Sequence, residues 1–213
     1  MAGRKKDPDK TAATRNNFIE KAYELYTTKS IESVSMIEVA EACGYGTTTL
    51  YRYFPSKPVL VVAVAIQKWQ QFTEENRKRR PKPEFEGMKA SDIFEFYLDS
   101  FLLMYKSNKE LLRFNQLFNV YVQSEHIDAK TLSPYREMIG NLHARFHEMY
   151  LMAQNDGSMQ TDIAEEEMFS TTLHIMLAAV TRYAIGLLYQ GGSDAECELL
   201  TLKEMLLLKY TNK

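Results

Sequence analysis

Between Ser35 and Lys57 the chain reads SMIEVAEACGYGTTTLYRYFPSK, a stretch that gathers side chains able to read and grip a polyanion. At helical spacing Thr47, Thr48, Tyr51 and Arg52 share one side, and Leu50, Tyr53 and Phe54 form an apolar stripe on the other. The first group is small and hydrogen-bonding, with one guanidinium, and it suits a DNA major groove. Arg reads guanine there, Thr reads several bases or a thymine methyl, and Tyr reaches phosphate. Lys57 stands at the mouth of the next helix, where its ammonium would meet a backbone phosphate. With Ser35, Gly46 and Tyr53 these residues make up the expected DNA-contacting set.

Local signals say how the set is positioned. Ser35 followed by Glu38 is a capping box, and Val34 with Val39 is its hydrophobic staple, so a short helix begins at Met36. Gly44 can take the left-handed conformation that ends this helix without a Cβ clash. A second helix, Thr47 to Phe54, must stop near Pro55, because the residue before a proline is pushed out of the α region. Ser56 then caps a third, with Pro58 tolerated in its first turn. Two short helices joined by a tight glycine turn are the sequence form of a helix-turn-helix.

The run Val39-Ala40-Glu41-Ala42-Cys43-Gly44, followed by Thr49-Leu50-Tyr51-Arg52-Tyr53-Phe54-Pro55-Ser56-Lys57, strongly resembles the TetR/AcrR family of bacterial one-component transcription regulators. The resemblance extends back to Phe18-Ile19-Glu20-Lys21-Ala22-Tyr23-Glu24-Leu25-Tyr26, which looks like that family's first helix. It departs from the family's usual Ser at Gly46, Gly at Thr48 and near Ser30, and acidic residue at Pro58. The resemblance implies an all-α chain: a three-helix DNA-binding domain over 1–56, and a helical ligand-binding and dimerisation domain over 57–213.

Composition agrees with a soluble globular class. The 213 residues are 45% hydrophobic and 25% charged, with a net charge of −2. Residues 1–80 hold 14 Lys and Arg against 9 Asp and Glu, and the remainder 12 against 19, so the halves carry +5 and −7. The basic half is the one with the helix-turn-helix. Arg77-Lys78-Arg79-Arg80 reads equally as a solvated helix end or a DNA contact, and Arg4, Lys5 and Lys6 as an unstructured arm within reach of phosphate. No export signal opens the sequence. Thr171 to Tyr189, interrupted by His174 and Arg182, reads as a packed helix, not a membrane span, and a cytoplasmic protein is expected. Cys43 and Cys197 match no metal spacing. His143 and His147 lie one turn apart but lack a third ligand at convincing spacing, so no metal and no cofactor is expected. No nucleophile elbow, P-loop, dinucleotide fingerprint or zincin motif occurs, and no catalytic residue is assigned.

After a basic arm over residues 1–10, Phe18, Ala22 and Leu25 mark the buried face of the first helix. A lever helix of about 33 Å runs from Lys57 to near Arg79 and ends at Pro81 and Pro83. Five further helices follow, roughly over 91–106, 108–124, 133–154, 162–190 and 193–210.

Stripes of Phe, Tyr and Met in the central helices read either as core or as the wall of a cavity for an apolar or aromatic effector. Tyr97, Phe101, Met104, Phe118, Tyr121, His143, Phe146 and His174 are the candidate ligand residues. The last two helices are apolar on more than one side, which a four-helix interface with a second copy would absorb, with Ala178, Leu202 and Leu206 as candidate seam residues. The expected function is a dimeric repressor that binds a palindromic operator and is released by a small molecule. A DNA-binding activator, or a regulator controlled by a protein partner, is the alternative.

Overall fold

The computed structural model describes residues 8–79, 87–186, 191 and 194–212. Among them stand α1 (Pro8–Thr28), α2 (Met36–Ala42), α3 (Thr47–Tyr53), α4 (Lys57–Arg79), α5 (Ala90–Ser107), α6 (Lys109–Ser124), α7 (Ala129–Asp156), α8 (Glu165–Ile185) and α9 (Ala195–Tyr210). An isolated antiparallel bridge joins Met159 to Thr211, and the fold is all-α. By packing the chain divides into two compact units, Met1–Gln71 with Phe114–Tyr135, and Phe72–Arg113 with Arg136–Lys213.

In the first unit the Ser35 hydroxyl accepts the Glu38 amide at 3.1 Å, and Val34 and Val39 are buried beneath the cap. Gly44 has φ +71°, and the amides of Gly44 and Tyr45 close the end of α2 onto the carbonyls of Glu41 and Ala40. Phe18, Ile19, Ala22 and Tyr26 of α1 pack into a core with Val39, Ala40, Leu50 and Phe54. Ile19 and Tyr26 take buried places, while Leu25 is half-buried. Glu20 ties α1 to α4: Lys68 pairs with its carboxylate, and Gln67 and Gln71 donate to it at 3.2 and 2.9 Å.

The second unit packs α5, α8 and α9 on one another. Phe94 meets Phe146 and Tyr210 edge-on, and Phe146 meets Phe169. Asp156 accepts the Ala90 amide at 2.7 Å, and Asn212 donates to the carbonyls of Gly157 and Met159, which closes the turn after α7. Arg113 Nε caps α8 through the Ala184 carbonyl at 2.7 Å, and Gly186 (φ +83°) ends that helix.

Several boundaries differ from expectation. The described part of helix α1 already includes Pro8 to Lys10, inside the segment read as an arm, and a proline is tolerated in a first helical turn, where its missing amide has no partner. Helix α7 begins at Ala129, not 133: Asp128 accepts both the amide and the hydroxyl of Thr131, and this cap outweighs Pro134 five residues into the helix. Helix α8 spans Glu165–Ile185, not 162–190: it starts after a turn at 161–162, and Gly186 in the left-handed region ends it. Arg4, Lys5, Lys6, Arg80, Pro81 and Pro83 lie outside the described residues, as do 187–190 and 192–193 and the side chains of Arg77 and Arg79. No described helix is long and apolar enough to cross a membrane.

Candidate nucleic-acid interface

Leu50 is fully buried and Phe54 nearly so, and together they anchor α3 by its apolar side. Thr48, Tyr51 and Arg52 consequently face solvent, Tyr51 at 47% exposure, with Thr47 half-buried beside them. Tyr53 packs against Phe18 with ring centroids 5.7 Å apart, so its ring serves the core while Arg52 lies over its face at the same distance. Arg52 meets no carboxylate among the described residues, and its donors stay open to a ligand. Gly46 caps α3 with extended backbone (φ −73°) and offers no side-chain hydrogen bond.

Ser35 is exposed, but its hydroxyl is engaged by the Glu38 amide. Lys29 pairs with Glu38 and holds that carboxyl below its usual range. Lys57 is held more tightly than the sequence suggested. Its ammonium donates to the Glu32 carbonyl at 3.0 Å and lies 5.7 Å from the Tyr121 ring centroid. Burial lowers its pKa, against the opposing pull of Glu125 and Glu32. Cys43 Sγ faces the Asn17 carbonyl at 3.7 Å, and burial pushes the thiol up to about 11, which marks a packing residue.

The candidate ligand residues do not form one group. Phe118 and Tyr121 are buried in the first unit, Phe118 against Phe114 and Tyr135. Tyr97, Phe101, Met104, His143, Phe146 and His174 belong to the second. There Tyr97 donates to the Arg145 carbonyl at 3.3 Å, and His143 stands edge-on to Phe169 at 4.8 Å. Met104 and Phe146 are core, Phe101 is half-buried, and His174 lies on the exposed side of α8. Two hollows bear on this set. One of about 370 Å³ is lined by Glu204, Leu207, Leu208 and Thr211, and one of about 260 Å³ lies between α1, α4 and the start of α7. Neither is lined by any of the eight.

Sequence reading missed the partners of the histidine pair. Glu165 reaches His147 Nδ1 at 2.8 Å, and Glu166 lies 3.1 Å from His143 Nε2. These carboxylates come from α8, so only the one-turn spacing of the histidines was available as a signal. Among the described residues no three such side chains are grouped to hold a metal ion. Of the seam residues, Ala178 is exposed and Leu202 half-buried, whereas Leu206, at 5% exposure, is already spent on its own unit's core.

Residues 18–64 match the model of the bacterial regulatory proteins of the tetR family. Among curated proteins no sequence matches. Several solved structures share the fold. A transcriptional regulator from Saccharomonospora viridis, solved in complex with choline, is 14% identical with a TM-score of 0.71, over 95% of this chain and 100% of that one. The fatty acid degradation regulator FadR from Bacillus halodurans is 13% identical with a TM-score of 0.66, over 96% and 97%. A TetR-family protein from Vibrio parahaemolyticus is 16% identical with a TM-score of 0.66, over 94% and 100%.

Proposed function

We propose that this chain, a TetR-family transcriptional regulator, acts in the cytoplasm as a dimeric repressor that binds a palindromic operator and is released by a small molecule. The observation that carries the DNA reading is the exposed Thr48, Tyr51 and Arg52 face of α3, held outward by buried Leu50 and Phe54. In a two-fold dimer two such helices match half-sites about 34–36 Å apart, and Lys57, at the start of α4, would add a phosphate contact. Residues 1–56 would serve as the DNA-binding module and 57–213 as the effector and dimerisation region.

A small effector is supported by the choline bound to the solved relative from Saccharomonospora viridis. The second unit, with the aromatic cluster around Phe146 and Phe169, is the place assigned to it. Such a ligand weakens operator binding only if it favours one arrangement of the dimer over another. The test is selection of bound sequences from a random duplex pool with the purified full chain at moderate salt. Recovery of a palindrome supports the reading, and recovery of no sequence preference from effector-free protein overturns it.

A further inference from the structure

The hollow of about 260 Å³ in the first unit lies between α1, α4 and the start of α7, and no residue of α3 lines it. Val59, Val62, Ala63 and Ile66 of α4 form an apolar floor, and Arg15 and Gln70 stand at the exposed rim. Arg15 is the only lining residue that carries a charge. It meets no carboxylate among the described residues. Its guanidinium rests over the Phe54 ring at 5.2 Å, a contact that consumes none of its five N–H donors.

The acids nearby are already engaged. Glu20 is taken by Lys68, Gln67 and Gln71, and Asp128 by Thr131, so Gln67 and Thr131 of the lining each already donate a hydrogen bond while Arg15 donates none among the described residues. Pro134, also in the lining, has no N–H to offer. The hollow thus pairs one unspent planar cation with a short aliphatic floor.

We propose that this groove binds a small amphipathic monocarboxylate, its acid group on Arg15 and its alkyl chain on the α4 floor. A guanidinium fork matches a carboxylate in two parallel hydrogen bonds, and charge-assisted bonds of this kind are about twice as strong as neutral ones. The hollow falls just below the roughly 300–1,000 Å³ of drug-sized sites, which selects a short chain over a long one. The site is separate from the aromatic cluster of the second unit, and its occupancy does not depend on the DNA reading.

Hexanoate is the probe, titrated into the full chain by calorimetry and followed by emission of Trp69, the sole tryptophan, which lies in α4 beside Gln70. Expected is saturable binding at one site per chain, with hexanamide and the Arg15→Gln variant each weaker by about tenfold or more. Ala63→Leu, which fills the groove and keeps the charge, should abolish binding in a chain of unchanged helical content. Failure of hexanoate to saturate in the millimolar range, or equal binding of hexanoate and hexanamide, overturns the proposal. Equal affinity of the parent and Arg15→Gln does the same. Because no DNA is present, such a failure leaves the operator reading untouched.

Discussion

Arg52 and Lys57 differ in what holds them, and that decides what the loss of each should cost. Among the described residues Arg52 makes no hydrogen bond or ion pair and lies over the Tyr53 ring, so Arg52→Ala would remove the proposed base-reading group with little cost to the fold. It should weaken specific binding by about 1–3 kcal/mol and relax the preference at one base pair. Lys57→Ala should instead weaken binding on every sequence and lower the salt slope by about 1, while orphaning the Glu32 carbonyl. Titration of each variant against matched and scrambled duplexes at several salt concentrations separates the two roles, and parental affinity in both would remove these residues from the interface. Gly46 offers a third experiment. Its extended backbone accepts a serine, and an added Cβ meets nothing within 4 Å. Gly46→Ser should supply the missing cap and gain a few tenths of a kcal/mol, a rise in Tm of about 1 °C by thermal melt.

At the scale of the helix, Glu20 shows how α1 is fastened to α4. Burial works to raise its pKa, but Lys68, Gln71 and Gln67 together hold the carboxyl below its ordinary 4.5. A group depressed in the folded state adds stability above its unfolded pKa and loses it as pH falls through the folded value. The contribution should be whole at pH 7 and fade below about pH 4.5. Glu20→Gln should therefore lower the urea midpoint at pH 7 and leave it nearly unchanged at pH 3, and an equal loss at both would argue against the ion pair. Helices α2 and α3 were legible because each boundary is written locally, by Ser35, Gly44 and Pro55. The start of α7 was misread because Pro134 is the louder signal, although the cap at Asp128 stands earlier and makes two hydrogen bonds. The ligand set was harder still. A stripe of Phe and Tyr says that a face is covered and not by what, and Phe118 and Tyr121 are covered within a different unit from Phe146.

For the whole molecule the deciding surface is the outer side of α8 and α9, all within the second unit. Ile175, Ala178 and Ile185 are exposed on α8, and Leu200, Met205 and Leu208 on α9, the last two at 59% and 68%. Helix α9 carries apolar residues on more than one side, with charged residues spread between them, so periodicity could not tell the inner side, which Leu199 and Leu206 occupy, from the outer. An exposed apolar face of this kind fits a second copy. If the proposed dimer forms through this face, the double variant Met205→Glu/Leu208→Glu should sediment as a monomer and the parent as a dimer, and a dimer in both would move the seam elsewhere. The same face carries Cys197, exposed, whereas Cys43 is half-buried with its thiol pushed up to about 11. At pH 7.5 a maleimide should thus find one fast thiol per chain. In the parent that thiol would be shielded to the extent that chains are paired, and in the double variant it would be open, so labelling kinetics become a built-in footprint of assembly, with Cys43 as the slow internal reference.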